Sequence, residues 1–150
     1  MKKIKVDIGF DKLKYIHHTS DIQIRNLRRH TEYRQVFDNF YKEIEKYKDN
    51  SVVYIGGDIA HSKLDMSPEL IQMLSDLFVN LADICPTILI AGNHDCNLNN
   101  MNRLDVLTPI VENINHPNLH YFMKSGVYQV ADVDFVVWDV WDKPKDYIKA

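Results

Sequence analysis

Three short β-forming runs, each closed by a polar loop and separated by helical periodicity, constrain this chain more than any other feature. Lys14-Tyr-Ile-His-His-Thr19 reads as the first strand. Ser51-Val-Val-Tyr-Ile55 reads as the second; it is apolar and β-branched, and so is expected to be buried on both faces. Pro86-Thr-Ile-Leu-Ile-Ala91 is the third. Between the first two, Val36, Phe37, Phe40, Ile44 and Tyr47 share a stripe that predicts a helix over 31–48. Between the second and third, Ser67-Pro68-Glu69 gives a capping serine and a first-position proline. The helix that follows runs to about Ile84, with Leu70, Met73, Leu74, Leu77 and Leu81 on its buried face. Strand–helix–strand order implies parallel strands joined by right-handed crossovers.

Beyond the third strand, the pattern predicts a shorter helix over 102–111, its last turn weakened by Pro109. The texture then changes. Leu119–Met123, Val127–Val130 and Phe135–Trp138 read as short strands joined by tight polar turns, a meander and not another βαβ unit. The sum, βαβαβ-α-βββ, is an α/β class chain.

Composition narrows the class. At 150 residues the chain is about one domain long, and its 45% hydrophobic and 26% charged residues with net charge −3 exclude disordered, collagen-like and supercharged classes. No apolar run is long enough for a membrane span, and no apolar stretch follows the N-terminal lysines as in a secretory leader. Two cysteines, Cys85 and Cys96, read as reduced thiols of a cytoplasmic protein, in a bacterial cell or a phage-infected host. Four of the five arginines, Arg25, Arg28, Arg29 and Arg34, fall within ten positions. They fit either phosphate contact or a solvated helix start in which Arg28 and Arg29 pair with Glu32.

In open parallel sheets, ligands bind beyond the carboxyl ends of the strands. There the sequence places Thr19-Ser20-Asp21-Ile22-Gln23, then Gly56-Gly57-Asp58-Ile59-Ala60-His61, then Gly92-Asn93-His94-Asp95. Asp21, Asp58 and Asn93 follow one another at 37 and 35 residues, one strand-plus-helix unit each. Two carboxylates, a carboxamide and histidines suit a hard or borderline divalent ion such as Mn, Fe, Mg or Zn. Two such ions sharing a carboxylate clamp a phosphate and supply hydroxide at neutral pH. His94, beside Asp95, is expected to be oriented by that carboxylate and to protonate or stabilise a leaving oxygen. Taken singly, Asp21 also fits a cap, Asp58 a turn former and Asn93–Asp95 a polar loop. All three being idle at one sheet edge is the weaker reading.

These motifs carry a resemblance. Gly57-Asp58 with His61, then Gly92-Asn93-His94-Asp95, after Asp21, resemble the calcineurin-like metallophosphoesterases. Ser20-Asp21-Ile22-Gln23-Ile24-Arg25-Asn26-Leu27 with Arg29-His30 and Tyr33-Arg34 is most similar to the SbcD-type repair and recombination nucleases, including phage recombination-endonuclease subunits. The likeness covers roughly residues 14–145 and implies an α/β/β/α sandwich with a two-manganese centre. By motif position, Asp21 would bind one ion, Asp58 would bridge both, and Asn93 would bind the second. His94 would stabilise the transition state and His61 would orient the scissile phosphate. Arg25, Arg28, Arg29 and Arg34 would contact the DNA backbone. An SbcC-type SMC-like ATPase and a second copy of the chain are the implied partners, with no membrane.

The sequence departs from the family pattern at two points. Gln23 stands where the first motif carries histidine, a neutral and poorer ligand. No Gly-His-x-His motif follows His120. His116 and His120 precede a strand, away from the predicted site. His17 and His18 lie within the first strand on opposite faces, His18 as a hydrogen-bonded structural residue. Trp138-Asp139-Val140-Trp141-Asp142 reads as an aromatic pair with a polar exit. The expected function is metal-dependent phosphodiester hydrolysis by a DNA nuclease. The alternatives are a weak or inactive member serving as a nucleic-acid-binding or assembly subunit, and another phosphoesterase acting on phosphomonoesters or cyclic nucleotides. The expected domain is the first part of a catalytic unit that stops before the distal histidine loops, with a sheet face left uncovered.

Overall fold

A computed structural model describes residues 3–143 and 145. Its elements are β1 (Lys3–Val6), β2 (Tyr15–Thr19), α1 (His30–Lys46), β3 (Ser51–Ile55), α2 (Pro68–Ile84), β4 (Thr87–Leu89), α3 (Leu107–Ile114), β5 (Leu119–Tyr121), β6 (Gly126–Val130) and β7 (Val133–Val137). A four-stranded parallel sheet runs β2-β3-β4-β5, and a three-stranded sheet runs β1-β6-β7. This mixed α/β architecture with a parallel sheet matches the α/β/β portion of the sandwich expected.

Strand alternation divides the core in two. Val53 and Ile55 of β3, with Leu89 and Leu119, pack under the helices among Phe37, Ile44 and the α2 face. Val52 of β3 and Ile88 of β4 point the other way, onto Phe122, Tyr128, Val130 and Val137 between the sheets. Six α2 side chains, Leu70, Met73, Leu74, Leu77, Phe78 and Leu81, are no more than 2% exposed. Each contributes about 1.5–3 kcal/mol of burial, which makes α2 the main weight holding the helices to the sheet. The start of α2 follows its sequence signature: the Ser67 hydroxyl accepts the Leu70 N–H at 3.2 Å, with Pro68 in the first turn.

Two expectations are corrected, and one strand that the sequence did not announce is added. Leu119–Tyr121 joins β4 in parallel, so β4-α3-β5 is a third βαβ unit and only β6–β7 is a hairpin. The hairpin turns at Ala131, which takes φ 53 as a two-residue loop requires. The third helix starts five residues later than periodicity suggests. Buried Asp105 sets the start by accepting the N–H groups of Leu107 and Thr108 at 2.8 and 2.7 Å. Pro109 therefore lies in the first turn, where its missing N–H has no partner to lose. Finally, β1 pairs in parallel with β6 and carries Ile4 and Val6 over Tyr128 and Val130, so the second sheet draws on the N-terminus as well as the C-terminal strands.

Among the described residues no helix is long and apolar enough to cross a membrane. Both cysteines are free and buried, and burial with the nearby Asp105, Asp95 and Asp139 pushes the Cys96 thiol up to about 12, which makes it a poor nucleophile.

His120 on β5 has a buried Nε2 with no hydrogen-bond partner among the described residues, and burial lowers its pKa. A depressed folded-state value means its contribution is complete above the unfolded value, about 6.5, and is lost as pH falls through the folded value. His120→Leu is therefore expected to narrow the drop in thermal midpoint between neutral and mildly acid buffer. Melts at both pH values check this; an unchanged difference would contradict it.

Candidate active site

The carboxyl ends of β2, β3 and β4 are aligned, with Thr19 opposite Ile55 and Ile55 opposite Leu89. The three polar loops therefore leave the sheet side by side. The first two stay zipped beyond the strands. Asp21 N–H donates to the Gly57 carbonyl at 3.0 Å, Gln23 N–H to Asp58 at 2.9 Å and Ile24 N–H to Ile59 at 2.9 Å, and a parallel bridge joins Ile24 to Ala60. Ile24, Ile59 and Ala60 are fully buried beneath this zipper, which fixes it to the helix-side core. Asp21, Gln23 and Asp58 all take positive φ, 53, 48 and 52. For non-glycine residues each such conformation costs on the order of 1–3 kcal/mol, and here all three fall on predicted site residues.

The third loop closes onto the second. Asp58 Oδ1 accepts the His94 N–H at 2.8 Å, and His94 Nδ1 donates to the His61 carbonyl at 2.9 Å, which leaves Nε2 as the ring nitrogen outside that bond. The His61 and His94 rings stack at 5.8 Å and 18°. His61 Nδ1 donates to Gln23 Oε1 at 3.3 Å. Lys63 Nζ donates to the Asn93 carbonyl at 3.3 Å and brings a cation to this edge. Two glycines permit the closure. A Cβ on Gly57, at φ 91, would lie 2.7 Å from Gly92 N; one on Gly92 would lie 2.1 Å from Asp58 Oδ1 and 2.4 Å from Asp58 N. Gly92→Ala must displace the Asp58 carboxylate, so it is expected to lose hydrolysis and to destabilise the chain by about 1–3 kcal/mol. Parallel melts and assays check this, and retained activity would contradict it.

Asp95 requires a correction. Its carboxylate is fully buried and does not orient His94. It accepts backbone N–H groups from Ile59 (3.1 Å), Ala60 (3.0 Å) and Gly92 (2.9 Å), tying the second loop to the third from beneath. Burial raises its pKa against the pull of those donors. Sequence adjacency misleads here because His94 and Asp95 leave the same turn in opposite directions. Asp95 is a positioning residue.

Asp21, Gln23, Asp58, His61 and His94 are thus joined at one edge, and Asn93 lies in the loop beside them. Arg25, Arg28 and Arg29 gather in the turn that follows Gln23. Arg34 does not join them. It lines a separate groove between α1 and α2 with Asp38, Tyr41 and Asp76. His116 pairs with Asp83 at 3.2 Å. His18 shows a ring contact with Tyr54 at 5.2 Å and lies against Gly56, and among the described residues it does not make the hydrogen bond expected of it. The aromatic exit loop reaches the site's flank: Trp141 Nε1 donates to the Asn97 carbonyl at 3.3 Å. Sequence reasoning missed Lys63, and it quoted Asn26 and Tyr33 within the resembling stretch without assigning them their role of fastening the arginine turn. No periodicity or spacing marks them.

The profile of the calcineurin-like phosphoesterase family matches residues 14–147, spanning β2 through the exit loop. The chain belongs to the calcineurin-like phosphoesterase family. Membership supports metal-dependent phosphoester hydrolysis as the general chemistry of the family. An uncharacterized protein of Acanthamoeba polyphaga mimivirus is 50% identical over 133 residues, which cover 87% of this chain and 10% of that protein. The chain thus spans about a tenth of the length of this relative.

The residues suit the divalent metal such enzymes use in donor type. Asp21, Asp58, Asn93 and Gln23 are hard oxygen donors, and the close approach at Gly92 leaves room for the Asp58 carboxylate. They fall short in number, since among the described residues no three His, Cys, Asp or Glu groups converge to hold an ion by themselves. Carboxamide and phosphate oxygens would complete the coordination.

Proposed function

We propose that this chain hydrolyses phosphodiesters in DNA with manganese as the preferred ion. The observation that supports the reading is the closure of the zipped loops, in which the Asp58 carboxylate accepts the main-chain N–H of His94 while the His94 ring is held by the His61 carbonyl, so that groups from two strand ends lie side by side. Asp21, Asp58 and Asn93 would hold the metal, with Gln23 as a weak fourth donor. Bound divalent ions would polarise the phosphoryl oxygen and lower the pKa of the attacking water. His94, its Nδ1 held by the His61 carbonyl, presents Nε2 to stabilise charge on the phosphoryl group or to protonate the leaving oxygen. His61 and Lys63 flank the position where the phosphate would sit. Hydrolysis of bis(p-nitrophenyl) phosphate and of single-stranded DNA with added Mn²⁺, beside a phosphomonoester control, tests the proposal. Rates unaffected by chelator, or faster turnover of the monoester, would refute it. The same reading carries an SMC-like ATPase of the SbcC type and a second copy of this chain as partners, tested by co-purification and sedimentation.

One observation favours a second reading, a member too weak to catalyse that serves in DNA binding or assembly. Gln23 Oε1 accepts from His61 Nδ1, so the oxygen in the first-motif ligand position is already engaged. Under that reading Gln23→His raises Mn²⁺ affinity and rate by about tenfold or more. An unchanged rate would show that this position does not limit activity.

A further inference from the structure

The peptide that joins Gln23 to Ile24 is gripped at both ends. Its N–H, on Ile24, donates to the Ile59 carbonyl at 2.9 Å, and its C=O, on Gln23, accepts from the Tyr33 hydroxyl at 3.0 Å. A planar trans peptide points these two groups in opposite directions, so the second loop holds one side and α1 the other. The grip falls on a strained residue. Gln23 sits at φ 48, a conformation that persists in a residue other than glycine only where the surroundings over-determine it. Tyr33 is a rigid source for that restraint. It stands in the first turn of α1, its N–H donates to the Arg29 carbonyl at 3.0 Å, and its ring lies 6.0 Å from that of Phe37 against the helix-side core.

From Gln23 the contacts run on to the two histidines. Gln23 Oε1 accepts from His61 Nδ1 at 3.3 Å, and the Ile24 carbonyl accepts the His61 N–H at 3.1 Å, so the first loop fixes both the ring and the backbone of His61. The His61 carbonyl in turn accepts from His94 Nδ1 at 2.9 Å, and the two rings stack at 5.8 Å. A hydrogen bond at one ring nitrogen decides which tautomer the other presents. Both rings are therefore held with the proton on Nδ1 and with Nε2 bare, the reverse of the form a free histidine side chain prefers.

We infer that Tyr33 is a positioning residue for His61 and His94. Its hydroxyl holds Gln23 in the left-handed backbone from which the carboxamide sets the His61 ring and, through the His61 carbonyl and the ring stack, the His94 ring. Position 23, where the chain departs from the family pattern, thus works through the histidines. A carboxamide oxygen keeps a second lone pair, so this role is compatible with a metal-donor role for the same atom. The inference rests on the phosphodiesterase reading only for its effect on rate.

The test reads the rings directly, in chelator and without substrate. Nitrogen NMR of isotope-labelled histidines in alkaline buffer reports which ring nitrogen carries the proton in the wild type, Tyr33→Phe and Gln23→Leu. The wild type is expected to show the Nδ1–H form for both rings. Each variant is expected to move His61 toward the Nε2–H form and to shift the His94 ring signals with it. The double variant should move them no further than Gln23→Leu alone, since both changes break one chain of contacts. Phenylalanine keeps the ring packed beside Phe37, so the Tyr33→Phe melt should stay within about 4 °C of the wild type. A larger fall, which marks a structural role, would overturn the inference. So would unmoved ring signals in either variant, or additive shifts in the double one. On a bis-aryl phosphate with Mn²⁺, Tyr33→Phe should lose roughly 10- to 100-fold in kcat with KM little changed. An unchanged kcat beside an active wild type would overturn the positioning role. An inactive wild type would instead defeat the phosphodiesterase reading, and the NMR result would still decide the tautomers.

Discussion

Asp58→Asn is expected to lower manganese-dependent hydrolysis of a bis-aryl phosphate by at least about 100-fold, in the range seen when one preorganised group is removed from an active site. The substitution keeps the shape of the side chain and an oxygen able to accept the His94 N–H now bonded at 2.8 Å. It removes the negative charge, and with it the donor that binds a divalent ion most strongly. Because the acceptor survives, the third loop should stay docked and the melting temperature should stay close to that of the wild type. A small effect on rate, or a large one accompanied by unfolding, would show that Asp58 works only as a loop anchor.

Asp95→Ala should do the opposite: collapse stability first and activity as a consequence. The carboxylate is fully buried and accepts three backbone N–H groups, those of Ile59, Ala60 and Gly92. Its removal leaves those donors in a dry interior, each a loss of about 1–3 kcal/mol. A total of at least about 3 kcal/mol corresponds to a fall of roughly 6–12 °C in melting temperature for a chain of this size. Thermal unfolding followed by circular dichroism reads this directly. A shift under 2 °C would mean that water satisfies the orphaned donors and that the loops are held together elsewhere.

The candidate site was legible because its signal is local. A short β-forming run closed by a polar loop with an Asp or Asn states both the strand and the loop that leaves it, and three such runs at one-unit spacing place the loops together. The α2 start was legible for the same reason, since Ser67 and Pro68 act within one turn. What sequence could not convey depends on distant partners. β1 is four residues long with lysine at alternate positions, and it is a strand because β6 lies beside it, more than 120 residues away. Leu119–Tyr121 looked like the first strand of a meander because nothing within those residues says whether they pair with β4 or β6. The role of Asp95 was hidden because a carboxylate next to a histidine suggests a dyad, whereas its partners lie 35 residues upstream as well as in its own turn. Arg34 was grouped with its neighbours by position, and the helix carries it to a different groove.

The three zipped loops are proposed to form one divalent-metal phosphoesterase centre. Calorimetric titration with Mn²⁺ of the wild type, Asp21→Ala and Asp58→Asn measures it most directly. Saturable binding by the wild type that weakens at least about tenfold in both variants, with unchanged melts in the absence of metal, is the predicted result. Equal Mn²⁺ affinity in all three proteins would contradict it.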